Sequence, residues 1–222
     1  TALLQLTTLP LLLANHTRVA DILLTIPAFL AFAVIGALIV AQQPRNIMGW
    51  LYCVIGISAA TYSFAQEYAA YTLITRPHRL PGGLVMAWLG HDWTGSISWY
   101  LLILVAPLLF PDGRLPTPGW RRYGYLLGFI IGLFLVVAAF RSTPMDDKLY
   151  PQIPNPLGSA WADRLAQTMP SAPLFFLGPL ISFAALVMRY RRAQQTQRQQ
   201  IKWLAYAAAL IPLAVIATAL WT

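Results

Sequence analysis

The sequence predicts an all-α fold, a polytopic bundle of transmembrane helices. Hydrophobic residues make up 58% of the chain and charged residues only 10%, whereas a soluble domain carries about a quarter charged residues. The apolar residues form long continuous runs rather than alternating with polar ones. Continuous runs predict helices, because a helix satisfies its own backbone hydrogen bonds in lipid. The composition therefore excludes a soluble protein.

Six apolar runs are long enough to cross a hydrocarbon core of about 30 Å. They are residues 22–41, 47–74, 84–110, 123–140, 172–190 and 202–221. Residues 2–13 are too short to span and predict a partial N-terminal helix. A helix cannot end midway through hydrocarbon without leaving backbone groups unpaired. We therefore expect the chain, a single transmembrane domain, to be a fragment of a longer polypeptide that has a further span after Thr222.

The connecting loops carry an asymmetric charge that predicts their orientation. Residues 141–171 form the one long loop; it is rich in proline, and a short helix is expected over 159–168. Consecutive loops must lie on alternating sides of the membrane, which gives two sets of loops. One set holds nine basic residues and one acidic residue, and the other holds six basic and five acidic residues. The positive-inside rule places the first set in the cytoplasm and the proline-rich loop outside. The first set is Arg45, Arg114, Arg121, Arg122, Arg189, Arg191, Arg192, Arg198 and Lys202.

Three polar residues in the apolar runs are candidates for a ligand or polar cluster. They are Glu67, His91 and Asp92, and intramembrane ionisable residues often mark functional sites. Glu67 could face a cavity with Arg76 or His91. The structural alternative, which we favour, places Glu67 and the His91–Asp92 pair at the outer headgroup level, where they are solvated.

Two further patterns predict contacts rather than chemistry. Gly124, Gly128 and Gly132 recur at every fourth position, so they share one helix face that another helix can approach closely. Packing within the chain is the favoured interpretation, and a homodimer face is the alternative. A basic segment leads into the last run: Arg189, Arg191, Arg192, Arg198 and Lys202. We interpret it as an anchor at anionic lipid; a docking surface for a cytoplasmic partner is the alternative.

The sequence holds no pattern that predicts an enzyme. Cys53 is the only cysteine, and the three histidines lie far apart without metal-ligand spacing. No nucleotide, metalloprotease or nucleophile-elbow motif is present. No cofactor is required, although His91 is a candidate ligand for a pigment. The net charge of +8 comes from loops beside apolar runs, which favours lipid headgroups over nucleic acid as its partner.

Four loop motifs resemble those of a bacterial family. Residues 44–51 (PRNIMGWL) are similar to its PRNPIGWLL turn and residues 109–121 (LFPDGRLPTPGWR) to its LFPDGRLPSPRWR loop. Residues 155–158 (NPLG) match its external NPLG, and residues 198–204 (RQQIKWL) are similar to ERQQLKWL. The family is the multispan N-terminal membrane region of sensor histidine kinases of the Chloroflexi and Actinobacteria. The His91–Asp92 pair departs from it, because apolar or aromatic residues are expected there.

The resemblance implies the sensory input region of a bacterial signalling protein in the cytoplasmic membrane. A kinase domain would lie outside this chain, and helix movement would carry the signal to it. The alternative is a non-catalytic accessory subunit of a photosynthetic or respiratory membrane complex, whose partners would be other membrane subunits. A small transporter is disfavoured, because the chain has no internal repeat.

Overall fold

Helices account for most of the described chain, as the sequence predicts. A computed structural model describes residues 1–17, 19–77, 79–145, 152–169, 171–203 and 206, without the side chains of 19–25, 28 and 171–175. Its helices are α1 (Ala2–Ala14), α2 (Val19–Gln42), α3 (Ile47–Ala70), α4 (Gly83–Leu89), α5 (Asp92–Tyr100), α6 (Ala106–Leu109), α7 (Trp120–Phe140), α8 (Ala160–Thr168) and α9 (Ser171–Arg192). In these residues the one extended pairing is a bridge between Pro144 and Pro154.

Three helical segments of the described chain are long and apolar enough to cross a membrane. They are Ile47–Thr75, Gly83–Leu109 and Trp120–Phe140, and they coincide with the predicted runs 47–74, 84–110 and 123–140. Helix α1 and the stretch Phe29–Gln42 of α2 are apolar but shorter. The predicted run 172–190 coincides with α9, whereas 202–221 lies almost wholly outside the described residues. The helical membrane class is confirmed, and six full spans remain a prediction.

Helices α2 and α3 form a tightly packed hairpin. Asn46 caps α3, because its Oδ1 accepts a hydrogen bond of 3.0 Å from the backbone N–H of Met48. A Cβ added to Gly36 would lie 2.6 Å from the backbone nitrogen of Cys53, and one added to Gly56 would lie 2.8 Å from the Cβ of Ala33. Only glycine allows the backbones to come this close.

The glycine strip of α7 does not make such a contact in the described structure. A Cβ added to Gly128 or Gly132 would meet no atom within 4 Å, and one added to Gly124 would meet first a side-chain carbon of Leu115, at 3.6 Å. Within the residues described, the strip therefore packs against no other helix. Its expected contact with a helix or a second copy stays a prediction.

The third predicted run, 84–110, is not one continuous α-helix. Helix α4 ends at Leu89, His91 has the extended conformation φ −75°, ψ 160°, and α5 begins at Asp92. A π-helical turn over Leu101–Val105 follows, directly before Pro107. Proline has no N–H to donate to the preceding turn, and widened turns are one way a helix adapts to this loss.

The loops collect at two opposite ends of the described bundle. At one end, a Cβ added to Gly113 would lie 3.0 Å from Oδ1 of Asn46, so loops 43–46 and 110–119 touch. At the other end, the Tyr68 hydroxyl donates to the Pro81 carbonyl oxygen at 2.8 Å, and buried Met145 packs beside Ala69 and Ala87. This grouping agrees with the predicted alternation of loops. The side of the membrane that each end faces is still a prediction.

Candidate functional site

Buried polar side chains line the contact between α3 and α5. On the α5 side, His91, Thr94 and Ser98 are 8%, 4% and 5% exposed. Thr94 and Ser98 lie four residues apart on one face of α5, and His91 directly precedes the first residue of this helix. On the side of α3 that faces α5, polar residues recur at every fourth position. We call this set the polar seam: Ser58, Tyr62 and Gln66 on α3, with His91, Thr94 and Ser98.

Two glycines let the two sides of the polar seam meet. A Cβ added to Gly90 would lie 2.7 Å from the backbone nitrogen of Gln66. A Cβ added to Gly95 would lie 3.1 Å from a ring carbon of Tyr62. The helix break therefore rests directly on the backbone of α3, and the face of α5 that follows it rests on an aromatic ring.

The inner part of the polar seam is hydrogen-bonded across the two helices. The hydroxyl oxygens of Ser58 and Ser98 are 2.7 Å apart, and either can donate. The Ser98 hydroxyl also lies 3.2 Å from the Ile55 carbonyl oxygen, and the Ser58 hydroxyl lies 2.8 Å from that of Val54. Such bonds join membrane helices at about 0.6 kcal/mol each on average.

The part of the polar seam at the helix break holds two unpaired atoms. The Nδ1 atom of His91 and the hydroxyl oxygen of Thr94 are buried and have no hydrogen-bond partner in the part of the chain described. A buried polar group without a partner costs about 1–3 kcal/mol. Such groups are expensive inside a membrane segment and mark this break as the candidate functional site.

The structure separates the predicted His91–Asp92 pair. His91 is buried, contrary to the favoured interpretation of a solvated pair, whereas Asp92 is exposed. The reason is local: His91 is extended and turns inward at the break, and Asp92 begins the next helix. The Nδ1 atom of His91 is buried, and pigment binding by His91 stays a prediction.

Glu67 has partners that the sequence analysis did not find. Its carboxylate accepts a hydrogen bond of 2.7 Å from Nδ2 of Asn15 and lies 3.3 Å from the Thr17 hydroxyl. The hydroxyl of Thr75 donates to Asn15 at 2.7 Å. Among the described residues no hydrogen bond or ion pair joins Glu67 to Arg76 or His91. Glu67 thus fixes the end of α1 on α3, and a cluster with either residue is not formed.

The long loop and the broken helix share one hydrogen-bond acceptor on α7. The carbonyl oxygen of Ala139, near the end of α7, accepts from Trp88 Nε1 at 2.8 Å and from Asn155 Nδ2 at 2.9 Å. Trp88 in turn packs on Trp93 with ring centroids 4.8 Å apart, and Nε1 of Trp93 donates to the Trp88 carbonyl oxygen at 2.9 Å. The two tryptophans therefore bridge the break.

An aspartate in α8 binds the backbone at the start of the same loop. Asp163 in α8 accepts a hydrogen bond of 3.0 Å from the backbone N–H of Ser142. This bond, with smaller help from Arg141, holds the pKa of the Asp163 carboxyl below its usual value. Helix α8 matches the short helix predicted over 159–168.

At the opposite end of the broken helix, Arg189 binds the loop that follows it. Its Nη1 lies 2.6 Å from the Asp112 carboxylate and donates to the carbonyl oxygen of Phe110 at 2.9 Å. Arg189 is 11% exposed, in contrast to Arg191, Arg192, Arg198 and Lys202, which are exposed. Within the predicted basic anchor, Arg189 therefore differs from the other four residues, because it joins α9 to the loop that follows α6.

These observations define the class of the protein as a helical membrane protein with a polar interruption in one of its spanning segments. The described residues contain no group of three histidine, cysteine or acidic side chains that could hold a metal ion. No protein-family model, curated protein or solved structure matches the chain. The function is therefore inferred from the site and from the motifs alone.

Proposed function

We propose that the chain is the membrane-embedded sensory region of a bacterial signalling protein, of the kind found in sensor histidine kinases. The observation that carries the proposal is the set of contacts at the two ends of the segment Gly83–Leu109. One end bonds to the Ala139 carbonyl group, which the proline-rich loop also binds through Asn155. The other end is bound by Arg189 of α9.

A sensory region needs a structural element that both ends of the protein can move. The broken segment fits this need, because its two halves meet at His91 with unpaired polar atoms rather than in one rigid helix. A shift of the proline-rich loop would act on α4 through Ala139. A change in α6 would act on Arg189 and, through Arg189, on the basic segment beyond α9.

The motifs that resemble the kinase family give a second line of support. Three of the four motifs, residues 44–51, 109–121 and 198–204, lie at one end of the bundle. Gly113 of the second motif approaches Asn46 of the first, and Ile201 of the third lines the same cavity as Pro111 of the second. Short sequence motifs that meet in space are consistent with a shared role at the cytoplasmic end. We place the protein in the bacterial cytoplasmic membrane with this end inside, on the charge asymmetry of the loops.

The proposal is tested on the natural gene product purified from membranes in mild detergent. Incubation with radiolabelled ATP should transfer phosphate to a histidine of the same polypeptide, as an acid-labile and base-stable label. Arg189→Lys should change the labelling rate, because lysine cannot reproduce the planar contacts of the guanidinium. Arg191→Lys, a matched change on an exposed neighbour, should leave it unchanged.

The accessory-subunit hypothesis makes a different forecast for the same preparation. It expects a mature polypeptide that ends at Thr222, shows no phosphorylation and copurifies in fixed ratio with pigment-binding or redox subunits. Intact mass measurement with subunit identification would then overturn the sensory proposal.

A further inference from the structure

Arg189 uses only part of its hydrogen-bonding capacity. A guanidinium group has five N–H donors in one plane. Nη1 contacts Asp112 and the carbonyl oxygens of Leu109 and Phe110, whereas Nε and Nη2 are buried with no partner in the described residues. Nε and one Nη form the side of the group that binds two oxygen atoms of a phosphate or carboxylate at once. This side of Arg189 is unpaired.

An open cavity of about 160 Å³ lies beside Arg189. Polar and charged groups line one part of it, and aliphatic or proline side chains line the rest. The polar lining residues are Asp112, Arg189, Arg192 and Gln197; the apolar ones include Leu115, Pro116, Met188 and Ile201. Asp112 is already paired with Arg189, so the second arginine leaves the lining with an excess positive charge.

We propose that this cavity binds the phosphate group of an anionic phospholipid, through Arg189 and Arg192. The phosphate neutralises the excess charge at Arg192, and Gln197 can donate to a further oxygen. The buried Nε and Nη2 atoms of Arg189 gain acceptors when its side chain turns toward the bound phosphate. The apolar part of the lining favours a lipid over free phosphate, because Met188 and Ile201 offer contact to glycerol and acyl carbons. The candidate span Gly83–Leu109 ends just before Asp112, so we expect the cavity at the depth of the headgroups.

This site is more specific than the general attraction of basic residues to anionic lipid. Arg191 has the same charge as Arg192, is also exposed and is adjacent to it on α9, but it does not line the cavity. The two arginines therefore form a matched pair. Only a defined site distinguishes them, since a diffuse surface potential acts on both alike.

The experiment measures binding of short-chain phosphatidylglycerol to the natural gene product in detergent, by native mass spectrometry across a lipid titration. Arg192→Gln should weaken binding about tenfold, as expected for the loss of one charge-assisted contact. Arg191→Gln should change it less than twofold. Diacylglycerol, which lacks the phosphate, should not bind at this site. Arg189→Gln is made as well, with thermal unfolding recorded to establish that it folds.

Three results would overturn the proposal. Equal losses for Arg191→Gln and Arg192→Gln would show surface attraction without a site. Binding of diacylglycerol as tight as that of phosphatidylglycerol would remove the phosphate from the recognition. Complete displacement of the lipid by an equal concentration of inorganic phosphate would assign the cavity to a soluble phosphate compound. None of these results depends on kinase activity.

Discussion

Replacing Thr94 by valine tests whether the polar seam is dry at the helix break. Valine keeps the branched shape of threonine and exchanges the hydroxyl for a methyl group. Thr94 is 4% exposed, and its hydroxyl has no hydrogen-bond partner in the described structure. Because leaving such a group buried costs about 1–3 kcal/mol, we expect Thr94→Val to stabilise the fold by about 1 kcal/mol.

Ser98→Ala, one turn further along α5, is the control. Its hydroxyl is paired with Ser58 at 2.7 Å, so its removal should destabilise the fold by about 0.5–1 kcal/mol. Ser58 keeps its bond to the Val54 carbonyl oxygen and is not left unpaired. The two substitutions, both of which remove a buried hydroxyl, should therefore have opposite signs.

Thermal unfolding in detergent or nanodiscs, followed by tryptophan fluorescence, measures both effects. For a chain of this length 1 kcal/mol corresponds to about 2–4 °C in Tm. A fall in Tm for Thr94→Val would refute the reasoning, because it would show that the hydroxyl has a partner, such as bound water or a ligand. An unchanged Tm for Ser98→Ala would mean that the serine pair contributes nothing.

Three further predictions concern packing, orientation and pH. Gly36→Ala should destabilise the fold by about 1–3 kcal/mol, because the new Cβ meets the α3 backbone. The side chain introduced by Gly128→Leu has open space in the isolated chain, so this substitution should leave the unfolding of the chain unchanged and weaken its association with another helix. A single cysteine at Gln152 in a Cys53→Ser background should react with an impermeant reagent only from outside, and cytoplasmic labelling alone would reverse the topology. Asp163 has a lowered pKa, so its bond to the Ser142 amide stabilises the loop above the ordinary pKa of an aspartate and is lost as pH falls through the lower folded pKa. The protection factor of that amide, which is its intrinsic exchange rate at each pH divided by the observed rate, should stay constant from about pH 5 to 8 and fall in strong acid; a change near pH 6 would contradict this.

The helical class and three spanning segments could be predicted from the sequence because lipid imposes one strong rule. A backbone without water must bond to itself, so composition and run length are sufficient. The break at His91 was missed because most of the surrounding residues are apolar, and hydropathy averaged over a whole span does not register a single extended residue. A glycine followed by a histidine was the available signal.

The contacts of single residues were harder to predict, because they join distant parts of the chain. Glu67 bonds to Asn15, 52 residues away, and Arg189 bonds to Asp112, 77 residues away. Sequence spacing says nothing about such pairs. Close packing at glycine was predicted for the strip on α7, where it stays a prediction. It was not predicted between α2 and α3, where the structure shows it at Gly36, Gly49 and Gly56. Regular spacing indicates a shared face, whereas the partner depends on the tertiary fold.

In the proposed sensory function, the break would let a firmly packed membrane bundle carry a change between its ends. A continuous helix with all backbone groups bonded would resist bending. The segment Gly83–Leu109 is bonded at both ends, through Trp88 to Ala139 and through the Phe110 carbonyl oxygen to Arg189, but its backbone hydrogen bonding is interrupted between them. The proposal therefore expects movement at His91, where unpaired polar atoms would gain from any rearrangement that supplies a partner. A loop that pulls on Ala139 would then act on this break through Trp88.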